Sequence, residues 1–411
     1  MVQSNPLSSE SHYITRSDQR YDWQDLDQLD TTIRMQMLAA IKDFIRDHSA
    51  AVMDHDPDWL FTKCSHDKSV KILFSLANDG TVVAYAPFFV HPTALSFELL
   101  GVSLWEYRIR RYSITAGPLF ANGVNTDEVL STLFDYVWIL LGNREALYVL
   151  GMELDSLFGR FIRQNADLRK KYQLVFSGKP YHRRLITLPS NFDQYIQYLG
   201  YGTRKEIRRV LRRLEQDSEI TIDHRIFTTP EDIAEFLPLA QQVSDKTYQR
   251  NLLGLGIRDN AETRRILTIA ARNGWFQSYL LICNQQPVAF QLGYVYDGTY
   301  YAEHTGYDPA WGDKSIGTVV QIYRIRDLIA NKRITQLDFL YGDNERKRSL
   351  SNKYRIEQNI YLIPRRFPLG VFALTLRVFN KISELGGDFI EKWGLKSKIR
   401  RYLRKRSVNR S

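Results

Sequence analysis

Thr299-Tyr-Tyr-Ala-Glu-His-Thr-Gly-Tyr307, then Asp308-Pro-Ala-Trp-Gly-Asp-Lys-Ser-Ile-Gly317, then Thr318 to Ala330, is the stretch on which the fold turns. The first nine residues read as a strand and the next ten as a loop. Ile316, Val319, Val320 and Tyr323 recur at helical spacing. A strand that passes through a loop into a helix exposes backbone N–H groups beside a helix N-terminus. That is an anion site, and it suits a pyrophosphate. Gly317 lets the backbone approach such a group closely, Lys314 adds a charge, and Ser315, Ile316 and Thr318 flank them. The plainer alternative is an ordinary connection with Ser315 as N-cap. Gly312 to Gly317 also satisfies the GxxxxG spacing of a P-loop. No Lys follows Gly317, so a nucleoside triphosphate site is not expected.

Working outward, Trp275 to Cys283 reads as a strand, Asn284 to Pro287 as a turn, and Val288 to Tyr296 as the next strand, with a turn at Asp297-Gly298. Thr335 to Leu340 closes as a strand after the helix. The first half repeats this order. Residues 31–48 read as a helix, and Val70 to Ala77, Asn78-Asp-Gly80 and Thr81 to Phe89 as a hairpin. A helix over Thr126–Leu141 and a buried strand from Leu147 follow. The duplication lies in element order rather than in identity. It predicts an α/β (α+β) fold with mixed sheets flanked by helices. The expected division is a polar lead-in over 1–30, halves over 31–185 and 186–366, and a basic amphipathic tail over 367–411.

The segment from Asn191 to Leu280 reads as mostly helical. Within it, Arg204-Lys-Glu-Ile-Arg-Arg-Val-Leu-Arg-Arg-Leu-Glu215 sets two basic rows, Arg204/Arg208/Arg212 and Lys205/Arg209/Arg213, against an apolar stripe of Ile207, Leu211 and Leu214. So many cations on one helix exceed what solvation needs, and they suit a phosphate-bearing partner.

Composition narrows the function classes. The 411 residues are 44% hydrophobic and 25% charged, which excludes disorder, collagen and a disulfide scaffold. Cys64 and Cys283 lie far apart, and no metal-ligand spacing, HExxH or GxSxG is present. No metal is expected. No apolar run is long enough to span a bilayer, and the start lacks the pattern of a signal peptide, so a cytoplasmic location is expected. The net charge of +10 is concentrated at the end, where residues 391–411 carry nine basic side chains and one acid. With Trp393, Leu395, Ile399, Tyr402 and Leu403 among the cations, 388–411 reads as a helix that lies on an anionic inner leaflet. Contact with RNA and a solvated tail are the alternatives.

The order strand, Tyr307-Asp308-Pro309, loop, Ser315-Ile-Gly317, helix, Leu337-Asp338-Phe339-Leu340-Tyr-Gly342-Asp343 and Lys347 resembles the GNAT-type domain of the cellulose-biosynthesis-associated acetyltransferase (CelD/BcsL-like) family. That family is similar in fold to the FemAB transferases, which also pair two GNAT-like halves. The resemblance is clearest over 170–350 and extends to Asp58-Trp-Leu60 and the Tyr85 strand. Two places depart from the pattern. Gly312 and Ser315 stand where the pyrophosphate motif has Gln/Arg and its first glycine, and Arg346 and Leu350 stand where aromatic residues are usual.

The resemblance implies two tandem GNAT-like halves and a direct attack of an acceptor amine on the thioester of acetyl-CoA or another acyl-CoA. It implies a base on the 300–307 strand, either His304 or Glu303. Adjacent strand residues face opposite ways, so only one of them is expected to point at the substrate. Tyr341 is the candidate acid for the leaving thiolate. Asp338 and Asp343 would orient the acceptor, and Asp308 would accompany them. Lys347 would bind a phosphate or an acceptor carboxylate, and Arg208 and Arg209 the phosphates of the donor. The expected acceptor is a small molecule or glycan precursor: a sugar, an amino sugar or an amino-acid-like group. The alternatives are a Fem-like aminoacyl-tRNA-dependent transferase, the one reading that brings in nucleic acid, and an inactive GNAT-fold protein tethered to the membrane by its tail.

Overall fold

The structure is a computed structural model that describes residues 21–99, 102–217, 219–247 and 256–375. Most of the lead-in and the basic tail beyond residue 375 lie outside the described residues.

The first half runs β1 (Trp23–Asp25), α1 (Thr31–Arg46), α2 (Pro57–Thr62), β2 (Ser69–Leu76), β3 (Val82–Leu99) and β4 (Val102–Thr115). It continues with β5 (Leu119–Phe120), α3 (Thr126–Leu140), β6 (Glu145–Glu153), α4 (Leu157–Gln164), α5 (Ala166–Lys171) and β7 (Tyr172–Thr187). Next come α6 (Phe192–Tyr198), α7 (Tyr201–Gln216), β8 (Ile222–Phe227), α8 (Ile233–Lys246) and α9 (Ala261–Arg272). The second half is β9 (Ser278–Cys283), β10 (Gln286–Tyr296), β11 (Thr299–Tyr307), α10 (Ile316–Ala330), β12 (Gln336–Asp338), α11 (Glu345–Leu350) and β13 (Lys353–Pro364).

Local chemistry sets the boundaries. Asp30 caps α1 by accepting from the Thr32 and Ile33 amides, and Asn125 caps α3 through the Glu128 amide. Asn284 and Gln285 both have positive φ, as do Asp297 and Gly298. Each pair makes a two-residue hairpin turn whose twist matches its strands. The first of these turns is shorter than its sequence suggests, because Gln286 and Pro287 already pair with Cys283 and Ile282. The segment read as mostly helical between the halves contains β8, paired with β9.

The strands form one mixed sheet in the order β1-β2-β3-β4-β6-β13-β7-β12-β11-β10-β9-β8, with β5 on β3. The pairs β4/β6 and β11/β12 are parallel, and the other pairs are antiparallel. In each half three antiparallel strands lead through a helix, α3 or α10, to a parallel strand, β6 or β12. The closing strands are exchanged. β7 lies against β12 of the other half, β13 lies against β6, and the two pair with each other from Lys353 to Pro364. A four-residue charge cluster sits where they cross. Arg183 on β7 holds both carboxylate oxygens of Asp338 on β12, at 3.0 and 2.9 Å from Nε. Its Nη1 is 3.5 Å from Glu357 on β13, which also takes Arg355 Nε at 2.6 Å.

In the first half, His55 is 1% exposed. Its Nδ1 accepts from the Val52 amide at 3.0 Å, so Nε2 carries the proton and donates to the Gly117 carbonyl at 2.8 Å. A second proton would break the Val52 bond and charge a buried ring. Burial accordingly lowers the His55 pKa from 6.5 to about 4. The unfolded chain takes up this proton below 6.5 and the folded chain does not. The contribution is therefore present above pH 6.5 and lost as the pH falls to about 4, by up to about 3 kcal/mol. Urea unfolding at pH 7 and pH 4.5 should show this loss, and His55→Asn should flatten it. An unfolding free energy equal at both pH values would contradict it.

Candidate functional site

β11 is paired with β10 along its whole length, but with β12 only from Thr299 to Tyr301. Beyond that point β12 ends at Asp338 and the two strands part. The backbone of residues 302–307 therefore has one open edge, facing a wedge in the sheet. α10 packs over one face of this region, with Tyr300 in its core. α8 and α9 cover the other, with Tyr301, Phe290 and Tyr294.

A register shift between Leu292 and Gly293 inserts one extra residue into β11. Its effect is visible in the faces. Tyr301 lies on the α8 side, and strict alternation would put Gly306 on the α10 side. Gly306 instead faces Phe290 and Thr247, where an added Cβ would meet the Phe290 ring at 2.5 Å. The bulge thus sets Glu303 and His304 consecutively toward α8, where both are exposed. The expectation that only one of the two could reach the substrate fails for this reason. Both line a cleft of about 460 Å³ with Thr305, Phe339, Leu340, Tyr341 and Lys347.

A second cleft of about 520 Å³ adjoins it, lined by Ser315, Ile316, Gly317 and Thr318 at the start of α10. Thr247, Thr305, Gln321 and Arg346 line both clefts. Ser315 occupies the N-cap position with φ 56°, and its side chain caps nothing. The first turn of α10 is therefore not closed by a side chain. Gly317 is needed for packing as well: an added Cβ would lie 2.9 Å from the ring of Tyr307, which covers it. α7 continues this mouth outward. Arg213 donates to the Asp313 carbonyl at 3.2 Å, and Lys314 pairs with Asp217 at 2.7 Å, which ties α7 to the loop before α10. Arg208 and Arg209 are exposed on α7, along a groove of about 1000 Å³ shared with Arg204, Lys205 and Arg212.

Several expected site residues are committed to the protein itself. Asp338 is 2% exposed, grips Arg183, and accepts from the Leu340 amide at 2.7 Å. Asp343 is bound by Arg184 and Arg348, and the Arg184 hydrogen bonds hold its carboxyl down to about 2. Asp308 caps the turn that follows β11 and pairs with Lys246 at 2.7 Å. Lys314 points to Asp217, away from the cleft. Lys347 sits at the cleft, but its ammonium donates to the carbonyls of Phe339 and Tyr341, both at 2.7 Å. It thereby fixes a loop that holds Leu340 at φ 55° and Gly342 at φ 81°. Tyr341 stacks its ring under Arg183 at 5.1 Å, and burial pushes its phenol well up, so it keeps its proton at neutral pH.

Sequence reasoning passed over Gln291, Gln321, Arg324 and Arg346, which also line the cleft. The available signal was Arg324 itself, which continues the i, i+4 row of Ile316 and Val320 on the apolar stripe of α10. Among the described residues no three His, Cys, Asp or Glu side chains are grouped to hold a metal, and no helix is long and apolar enough to cross a membrane.

Residues 202–348 match the family model described as an acetyltransferase (GNAT) domain. The chain thus carries a GNAT-type acyltransferase domain, which contains the wedge, both clefts and α7. No curated protein matches the sequence. Among solved structures, the fold is similar to that of FemX, at 12% identity and a TM-score of 0.55, over 79% of this chain and 95% of that one. A tandem GNAT protein from the clavulanic acid biosynthesis pathway aligns at 9% identity over 83% of this chain and 98% of that one, with a TM-score of 0.48. L-PGS from Bacillus licheniformis aligns at 13% identity over 85% and 96%, with a TM-score of 0.46.

Removing the Lys347 ammonium leaves the inward carbonyls of the 339–342 loop without a donor. Lys347→Met should lower the unfolding free energy by about 1–3 kcal/mol, read by denaturant melts. Wild-type stability in this variant would show that solvent satisfies those carbonyls instead.

Proposed function

We propose that this protein is an acyl-CoA-dependent N- or O-acyltransferase, with acetyl-CoA as the simplest donor. The observation that carries the reading is the open edge of β11 from 302 to 307, leading to the uncapped start of α10. An extended pantetheine arm can bond to that edge as an added strand does, while its pyrophosphate meets the α10 amides. The basic rows of α7 beside this mouth suit the remaining phosphate.

The α10 face then takes the donor and the α8 face the acceptor, with the reacting carbonyl in the wedge. The acceptor nitrogen or oxygen attacks the thioester carbon and loses its proton to His304 or Glu303, both of which face the acceptor side. Backbone N–H groups of the β11 edge stabilise the oxyanion. The C–S bond breaks, and the thiolate takes up a proton, for which Tyr341 is the candidate donor. Asp338 and Lys347 serve this chemistry by holding the 339–342 loop rather than by touching substrate. The expected acceptor is a sugar, amino sugar or amino-acid-like group.

One observation favours a second donor class. The α7 groove of about 1000 Å³ is larger than one phosphate needs, and Arg208, Arg209 and Arg212 make no ion pair among the described residues. An aminoacyl-tRNA would use that surface more fully than CoA does.

Calorimetric titration separates these readings. Acetyl-CoA should bind in the micromolar range, and the double change Arg208→Glu and Arg209→Glu should weaken it by about tenfold or more, with a steep salt dependence. His304→Ala or Glu303→Gln should slow turnover with donor affinity unchanged. Absence of binding by every CoA species, together with salt-sensitive binding of aminoacyl-tRNA, would replace the first reading with the second.

A further inference from the structure

Ile316, Val320 and Arg324 form one row along α10, and all three are buried, Arg324 to 2% exposure. The Arg324 guanidinium makes no ion pair among the described residues, and its Nε and Nη2 have no hydrogen-bond partner. Asp327, almost one turn further along the helix, is already taken by Tyr279 Oη at 2.7 Å and Gln277 Nε2 at 3.1 Å. What Arg324 meets is aromatic: the ring centroids of Tyr300 and Phe339 lie 5.4 and 5.7 Å away.

Such contacts offset about 0.5–2 kcal/mol each. A buried cation without a counter-charge costs several kcal/mol, on the order of 3–5 where one partner of a pair is missing. Water could satisfy the N–H groups but would not supply the charge. Neighbouring groups are orphaned in the same place. Both side-chain atoms of Gln291, Gln321 Oε1 and Arg346 Nη2 lack partners, and all three residues line the same cleft of about 460 Å³ as Arg324. Arg346 reaches only Glu206, at 3.6 Å.

We propose that the inner end of this cleft is a carboxylate-binding subsite formed by Arg324 with Gln291, Gln321 and Arg346, so that one of the two substrates carries a carboxylate. The planar guanidinium fork matches two carboxylate oxygens, and the amides supply further hydrogen bonds. The carboxylate belongs either to a dicarboxylic acyl group on the donor or to the acceptor. That assignment rests on the acyltransferase reading, whereas the anion site does not.

Succinate and its neutral analogue succinamide are the probes, read by thermal shift and calorimetry on the full chain. Succinate should raise the melting temperature of the wild type and succinamide should not. Arg324→Met should weaken succinate by about tenfold or more and should melt no lower than wild type without ligand, because it removes an uncompensated buried charge. If Arg324→Met fails to fold, Arg324→Lys serves, with a loss of about fivefold expected from keeping the charge but not the fork. Acetyl-CoA and succinyl-CoA then locate the source. Tighter binding of succinyl-CoA that disappears with Arg324→Met assigns the carboxylate to the donor. Equal binding of the two thioesters, with the succinate response persisting at saturating CoA, assigns it to the acceptor. Succinate binding without any CoA binding would sink the donor reading and leave the subsite standing. A succinate response that is absent, or the same in wild type and both variants, overturns the proposal.

Discussion

The two-point grip of Arg183 on Asp338, inside a sheet and beside Glu357 and Arg355, is the interaction on which the rest of the structure depends. Arg183 belongs to the closing strand of the first half, Asp338 to the parallel strand of the second, and Glu357 to the strand exchanged in return. One buried cluster therefore joins β7, β12 and β13 at the point where the halves cross. The desolvation cost of these charges nearly cancels their attraction, so the cluster adds little net stability when complete. Its consequence is specificity of place. Removing any one member strands the others, which forbids register slips of β7 against β12 or of β13 against β7. The same Asp338 holds the Leu340 amide, and Arg183 lies over the Tyr341 ring. The loop that forms one wall of the cleft is thus an extension of the crossing.

Holding β12 in this position is also what opens the wedge. β12 runs beside β11 for three residues and is then drawn off toward β7, which leaves the far part of β11 with a free edge. The bulge opposite Leu292 and Gly293 adds a second asymmetry by turning Glu303 and His304 to one face together. The wedge therefore joins two different surfaces. One is rich in backbone N–H groups and arginine, under α10 and beside α7. The other carries the titratable Glu303 and His304, under α8. A transfer reaction between a phosphate-bearing donor and a separate acceptor needs such a division.

Much of this order was legible in the sequence. The turns at Asn78-Asp-Gly80 and Asp297-Gly298, the helices at 31, 126 and 316, and the strand–loop–helix stretch at 299–330 follow from positive-φ residues, caps and apolar periodicity. The strands β7 and β13 were not legible. Their central residues, His182-Arg-Arg184 and Lys353-Tyr-Arg-Ile-Glu357, read as polar surface, because burial there is compensated by pairing across the crossing rather than by apolar side chains. For the same reason Asp338, Asp343 and Lys347 looked like substrate ligands. A sequence shows their charges but not the arginines and carbonyls that already hold them. Arg324 is the converse case, a charge on an apolar stripe for which no partner exists within the described protein.

The central claim is that the free edge of β11, held open by the crossed strands, is the donor slot. Backbone hydrogen exchange with and without acetyl-CoA tests it directly, because the edge amides have no strand partner to protect them. The account predicts slower exchange across residues 302–307 and at the first turn of α10, from 316 to 318, when the donor is bound. Protection confined to α7, or no change at the β11 edge while acetyl-CoA binds, would contradict it.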